Sequence, residues 1–404
     1  MSTSPPLSPA RILQHDEARV RALSKRLRRA ATAGSDTYSF GSNSIPLKPG
    51  QYVGIANYVT TIDLGTPKKS YIVVVDTGSS FNWLQCQPCT VYCHDQTGPI
   101  FDPSTSATYK KLSCTTPECD ALTVATLNPA ACTSSGTCLY QASYGDGSFS
   151  VGVLSQDSLS LAGGSGPSAS LKNFVFGCGL DNEGLFGRSA GLIGLARNKL
   201  SLLGQLSPSL GYAFSYCLPT SSSLSGSLSI GKGSYNPSKF FYTPMLSDPS
   251  DHTLYFLRLT GVTVSGKAVH VSPSSGSSTS PMIIDSGTVI TRLDPSAYAA
   301  LRDAFKASMS KYPTAPAYSI LDTCYKGSPR SLSVPEVALV FQGGATLKLG
   351  LDNLLYQVKA GISCLAFAPG SGTFSIIGNH QQLTYTVAYD VTNSRIGFAA
   401  GGCA

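Results

Sequence analysis

Short apolar runs recur along the chain, each ending in glycine, a carboxylate or a small residue: "YIVVVD" (71–76), "FVFG" (174–177), "GLIGLA" (191–196), "PMIID" (281–285) and "SIIG" (375–378). They are too short for helices and too continuous for strands with one wet face, so they predict strands entering a dry core. Helical periodicity is confined to two places. Residues 12–30 carry Val20, Leu23 and Leu27 with basic residues between them, and residues 294–309 carry Leu301, Phe305 and Met309 on one face behind Asp294 and Pro295, a cap and first-turn pair. With 40 glycines and 25 prolines to turn it, the chain reads as mainly β. At 404 residues it exceeds one ordinary core, so two lobes are expected. No uncharged apolar run reaches the 18 residues of a membrane span.

The pattern repeats. "VVVDTGSS" (73–80) is echoed by "MIIDSGTV" (282–289), and each is followed downstream by an apolar-apolar-Gly strand, "GLIGLA" and "SIIGNH" (375–380). Two halves on one plan predict a basic prosegment or linker over 1–44, a first lobe over 45–217 and a second over 218–404. The stretches 31–44 and 272–281 read as flexible linkers.

Charge sharpens this division. Residues 1–44 hold seven basic residues (Arg11, Arg19, Arg21, Lys25, Arg26, Arg28, Arg29) against three acidic ones, so most of the net +7 sits in the N-terminal arm. No basic cluster marks the remainder, and no nucleic-acid partner is expected. Residues 12–30 are then either an exposed basic helix or a removable prosegment.

Twelve cysteines, seven of them between Cys86 and Cys138, read as disulfides formed in an oxidising compartment. A metal site is the rival, but "CQPCTVYCH" has no second CxxC at zinc spacing, and no metal is expected. The first residues, "MSTSPPLSPARILQ", show no apolar signal region, so the cysteines point to secretion, apoplast or vacuole while a Ser- and Arg-containing start leaves a plastid as the alternative. His94, His252, His270 and His380 lack metal spacing and read as surface or local hydrogen-bonding residues. "GSLSIGKG" (226–233) has Gly233 where a phosphate loop needs Ser or Thr, so no nucleotide is expected.

The candidate chemistry lies in the paired turns. Asp76 and Asp285 each end an apolar strand, where a carboxylate is costly unless hydrogen-bonded or partly protonated. Two such carboxylates about 3 Å apart share one proton, one serving as base toward a water and the other as acid toward a carbonyl. Gly78 and Gly287 permit the close turns. Thr77 and Ser286 can bond across the pseudo-twofold, and Ser79 and Thr288 can donate to the adjacent aspartates. No cofactor is needed.

Six pieces in order, "DTGSSFNW" (76–83), "YGDGS" (144–148), "GLIGLA", "DSGT" (285–288), "SIIGN" and "YDVTNSRIGFA" (389–399), resemble the pepsin-like aspartic peptidases, and the twelve cysteines resemble their plant nepenthesin-like branch. The resemblance spans most of residues 45–404. It implies a bilobal β fold with the active site in the cleft, peptide-bond hydrolysis at acid pH, a zymogen whose basic arm pairs with the carboxylates, and a monomer acting on protein or peptide substrates. It implies a flap formed by Tyr144, Gly145, Asp146 and Gly147, with Trp83 behind it donating to Tyr144. It also implies the pairings Cys86–Cys89, Cys93–Cys178, Cys114–Cys138, Cys119–Cys132, Cys217–Cys403 and Cys324–Cys364. Relatives of this fold include glycosidase inhibitors and storage-type globulins, so a silent binding protein is the competing reading, and intact aspartates and Tyr144 disfavour it. A relative known as a chloroplast nucleoid protein adds a plastid protease with DNA-binding ability, to which a net charge of only +3 beyond residue 44 gives little support.

Overall fold

The computed structural model describes residues 7–27, 42–144, 146–161, 169–233, 235–248, 251–269, 281–370 and 374–403. Gly145, His270 and most of the two expected linkers lie outside them. The fold is mainly β, with its sheets arranged in two lobes that repeat one plan. In the first, Tyr58–Leu64 runs antiparallel to Lys69–Asp76, which in turn pairs in parallel with Gly191–Gly194, so that Gly194 lies opposite Asp76. In the second, Asp251–Val264 runs antiparallel to Pro281–Ile284, which pairs in parallel with Ser375–Ile377, setting Ile377 beside Ile284. Strands buried on both faces need no polar alternation, which is why "VVV" and "MII" could be read as core.

A shared sheet backs both lobes. Its order is Phe241–Pro244, Arg395–Ala400, Tyr385–Asp390, Ala213–Cys217, Gly226–Gly231 and Ser42–Pro49, and the last strand continues into the first lobe through Lys48 opposite Val59. Strand Ser42–Pro49 thus begins before the expected lobe boundary at Ile45. The glycine-rich 226–231 segment is an ordinary strand of this sheet, with Ile230 opposite Asn43.

The first lobe's disulfides differ from the pairing the resemblance implied. Cys86–Cys89 and Cys93–Cys178 are replaced by Cys86–Cys178 and Cys89–Cys93. Sheet register is the reason. The Cys86 amide donates to Gly179 O, which brings Cys86 and Cys178 to a Cα separation of 5.3 Å, while Cys93 lies further along the strand, opposite Asn182. Cys114–Cys138 and Cys119–Cys132 are replaced by Cys114–Cys132 and Cys119–Cys138. Depth decides here: Cys119 and Cys138 are both buried, and Cys114 and Cys132 both lie toward the surface. In the second lobe and its backing sheet the bonds are Cys217–Cys403 and Cys324–Cys364.

Helix Pro295–Ser308 starts behind Asp294, whose carboxylate accepts the Ser296 amide at 3.0 Å, and it buries Leu301 and Phe305, with Met309 buried at its end. The N-terminal helix α1 (Pro9–Arg26) is not an exposed basic helix. It lies in the cleft: Leu13 packs with Val289, Ile290 and Leu321, and Val20 and Leu23 pack with Leu254, Phe256, Ile283 and Phe374.

Candidate active site

Both candidate aspartates sit at the ends of the matched strands, side-chain exposure 1% for Asp76 and 0% for Asp285. Buried carboxylates need donors, and each loop supplies the same set. Gly78 N–H donates to Asp76 Oδ1 at 2.9 Å, and Gly287 N–H to Asp285 Oδ1 at 3.1 Å. The Ser79 hydroxyl donates to Asp76 Oδ2, and the Thr288 hydroxyl donates to Asp285 Oδ2 at 2.6 Å. The loops are locked across the pseudo-twofold: Thr77 N–H donates to Ser286 Oγ at 3.2 Å, and Ser286 N–H to Thr77 Oγ1 at 2.9 Å.

The glycines are required by proximity. A β-carbon at Gly78 would stand 2.8 Å from Asp285 Oδ1, and one at Gly287 would stand 2.6 Å from Asp76 Oδ1. Each carboxylate therefore lies directly over the opposite turn. Beneath the loops, Asn82 Oδ1 accepts the Gly194 amide at 3.0 Å and Thr291 Oγ1 accepts the Gly378 amide at 3.0 Å, so the two apolar-Gly strands are tied in equivalently.

Over the first loop stands the hairpin of Cys138–Ser143 and Phe149–Leu161, which pairs Ser143 with Phe149. Its tip is closed by Tyr144 N–H to Ser148 O at 2.8 Å and Ser148 N–H to Asp146 Oδ1 at 2.9 Å, and Gly147 takes a left-handed φ of 87°. Trp83 Nε1–H donates to Tyr144 Oη at 2.7 Å, and Phe186 packs edge-on against both rings. Burial raises the Tyr144 phenol above its usual pKa, so it stays protonated.

Between the two carboxylates lies Arg19 of α1. Its Nη2 is 2.6 Å from Asp76 Oδ1 and 2.9 Å from Asp285 Oδ1, its Nη1 is 3.0 Å from Asp76 Oδ2, and its Nε is 2.8 Å from Asp285 Oδ2. This is charge-assisted, bidentate pairing on both sides of one planar fork. Burial alone would raise the Asp285 carboxyl, but the Arg19 charge and its hydrogen bonds hold it below the usual range. A second anchor follows two turns on: Arg26 pairs with Asp251, bonds the Thr253 hydroxyl, and donates to Gly78 O at 2.7 Å. A third joins buried Asp16 to buried Arg292 at 2.9 Å. Beside α1 the cleft keeps about 480 Å³ open against the first-lobe wall at Phe81, Leu127 and Tyr144.

Sequence reasoning expected a basic residue on the carboxylates without naming which. The pairs Asp16–Arg292 and Arg26–Asp251 have no signature in the chain, because only the docking of α1 brings Asp16 and Arg26 to Arg292 and Asp251 on the second-lobe strands. Two histidines follow the local hydrogen-bonding reading rather than the surface one. His94 is buried with Nε2 2.9 Å from Ser189 O, and His380 sits with Nε2 3.2 Å from Leu355 O, its pKa pushed down to about 4 by burial. Among the described residues no group of His, Cys, Asp and Glu could hold a metal ion, and no helix is long and apolar enough to cross a membrane.

The family description Xylanase inhibitor N-terminal matches residues 58–232, and Xylanase inhibitor C-terminal matches residues 254–400. An aspartyl protease family protein of Arabidopsis thaliana is 43% identical over 97% of this chain and 82% of its own length. The chain belongs to the pepsin-like aspartic protease family. Within it, aspartic proteinase nepenthesin-1 of Nepenthes gracilis is 34% identical over 87% of this chain and 79% of its own. Among solved structures, basic 7S globulin from soybean superposes with a TM-score of 0.72 at 21% identity, covering 89% of this chain and 97% of that one, which speaks for the fold alone. The family thus holds both named proteases and proteins described as inhibitors.

Proposed function

We propose that the protein is an aspartic endopeptidase held in an inactive state by α1. The observation that carries this is the matched donor set of the two loops, each carboxylate held by a glycine amide and a hydroxyl with Thr77 and Ser286 bonded across the dyad. With α1 withdrawn, Asp76 and Asp285 share one proton. The ionised carboxylate takes a proton from a water held between them, the water oxygen bonds to the scissile carbonyl carbon, and the protonated carboxyl donates to the carbonyl oxygen. Collapse breaks the C–N bond as the amine leaves with a proton from the dyad. Tyr144 and its flap would close over an extended peptide laid in the cleft.

Arg19 supports the zymogen reading, since it occupies the position between the carboxylates. The pH dependence follows from the anchors. Asp285 is held below the usual carboxylate value of 3.8, and so is Asp251, where the Arg26 pairing and Thr253 outweigh burial. Depressed groups contribute to α1 docking above that value and lose the contribution as pH falls through their lowered values. Asp16 has the opposite sign: burial raises it, so its protonation favours the docked state and opposes release. Acid release therefore rests on the Arg19 and Arg26 anchors. Residues 1–44, 45–217 and 218–404 remain our working division into prosegment and lobes.

The competing reading is a silent binding protein, and the inhibitor description of the family keeps it open. A complete pair of aspartate loops and a flap tyrosine support the enzyme. Six disulfides suit a secreted or vacuolar protein, with a plastid as the alternative. We expect a monomer. The test is digestion of a denatured protein at about pH 3–5 with and without pepstatin, beside an Asp76→Ala control. Acid cleavage abolished by both is expected; no cleavage from well-folded, acid-treated protein would leave the binding reading.

A further inference from the structure

Arg292 is a positive charge with no part in the chemistry above, and it is 1% exposed. It lies on strand Thr291–Leu293, a few residues past Thr288, the residue that donates to Asp285. Its Nη1 is fixed on Ile290 O at 2.8 Å. Its Nη2 reaches toward α1, 2.9 Å from Asp16 Oδ2 and 3.1 Å from Glu17 Oε2. The Asp16 carboxylate takes two more hydrogen bonds from the same wall: Val289 N–H donates to Oδ1, and Ile290 N–H donates to Oδ2 at 3.2 Å. Around them stand Leu13, Leu321 and Val358. A guanidinium and two backbone amides thus converge on one carboxylate in an apolar surround. Asp16 precedes Arg19 by three residues, roughly 4.5 Å of helical rise, so the cradle adjoins the dyad.

When α1 leaves, Asp16 and Glu17 leave with it. Arg292 keeps its bond to Ile290 O, while its Nη2 and both amides face the cleft with their α1 partners gone, so an incoming carboxylate meets donors already in place. A peptide laid in the cleft past Asp285 would pass this wall, since Val289 and Ile290 follow Thr288 directly. We propose that Arg292, with the amides of Val289 and Ile290, forms a subsite for an acidic substrate side chain, which Asp16 occupies in the inhibited state. The inference rests on the endopeptidase reading and on the departure of α1. The subsite selects Asp or Glu over a neutral residue and rejects Lys and Arg by like charge. The first-lobe loop has no equivalent charge, since Ser80, Phe81 and Trp83 stand where the second has Val289, Ile290 and Arg292. The bland alternative is that Arg292 serves only to anchor α1.

The two are separated by substrate discrimination. Full-length protein is held at about pH 3 until its N-terminal arm has been cleaved away, checked by mass, and is then assayed at about pH 5, where a free Asp is ionised, on peptides acetylated and amidated at their ends so that side chains supply the only carboxylates. Asp, Glu, Ala and Lys are placed in turn at each position around the scissile bond. At one position Asp or Glu should exceed Ala by roughly 10–100-fold in kcat/KM, the range for a hydrogen bond to a charged group, with Lys below Ala. In Arg292→Met that ratio should fall to near one, and in Arg292→Lys part of it should remain. Wild-type cleavage with no acidic preference at any position overturns the subsite while leaving the endopeptidase reading intact. So does a preference that persists in Arg292→Met or is unaltered in Arg292→Lys. Absence of cleavage of every peptide overturns the endopeptidase reading and the subsite with it. Thermal melting of each variant identifies one that fails to fold, and the wild-type scan decides without any variant.

Discussion

The Asp76 and Asp285 loops are alike where they meet and unlike where they part. Each carboxylate accepts from a glycine amide two residues on and from a hydroxyl three residues on, and Thr77 and Ser286 bond across the axis between them. Beyond the hydroxyl the symmetry ends. The first loop is roofed by Tyr144, Trp83 and Phe186, and the second carries Arg292, which with the Val289 and Ile290 amides holds Asp16. Sharing a proton needs two equivalent carboxylates, so the chemistry requires the symmetric part. Recognising one peptide direction requires the asymmetric part.

The sharpest break of that comparison is at the carboxylates. Asp76→Asn and Asp285→Asn should each lower kcat of the acid-treated protein by roughly 10³-fold or more, and the double variant should be little worse, because the pair acts as one unit. A tenfold difference between the two singles would mean that they do not share a role.

The next test concerns the lock between the loops. Thr77→Ala leaves the Ser286 amide without its acceptor, and Ser286→Ala does the same to the Thr77 amide, both buried. Each should cost about 1–3 kcal/mol in denaturant unfolding, with the two values close. Unequal costs would show that the axis is symmetric in geometry only.

Two weaker tests address the flanks. Tyr144→Phe deletes the 2.7 Å bond from Trp83 and should lower kcat/KM by roughly 3- to 10-fold while leaving the melting temperature within a few degrees. Asp251→Asn removes the carboxylate paired with Arg26, one of the two depressed groups on which acid release rests. Activation of this variant should begin at higher pH and depend less steeply on it, read from the onset of peptide cleavage across about pH 2–6. An unaltered profile would assign the acid dependence to the dyad alone.

What could be read from the chain was whatever it encodes locally. "VVVDTGSS" and "MIIDSGTV" specify strand, turn and carboxylate within eight residues, and the tip around Tyr144 and the Asp294 cap are equally local. Failures were non-local. Cys86 pairs with Cys178 because parallel register brings a strand 92 residues away alongside it, and no spacing within "CQPCTVYC" contains that information. Cys119 and Cys138 are matched by depth, which becomes defined only when the short helix at 117–120 packs under the hairpin. The periodicity of α1 announced a helix but not its place. Its stripe of Leu13, Val20 and Leu23 is an ordinary amphipathic face, and that this face covers the cleft while Arg19 points at two aspartates depends on the assembled lobes.

The measurement that bears most directly on the central claim is the pH profile of initial peptide cleavage by the full chain and by Arg19→Ala, with Asp76→Asn as control. The wild type should be silent near neutral pH and active only after acid treatment. Arg19→Ala, relieved of the fork that bridges both carboxylates, should become active at a pH about a unit or more higher, the effect of losing charge-assisted bonds to the dyad, and Asp76→Asn should be silent throughout. Coincident profiles for wild type and Arg19→Ala, or a folded Arg19→Ala protein with no activity at any pH, would contradict the account of α1 as an inhibitor seated on a catalytic dyad.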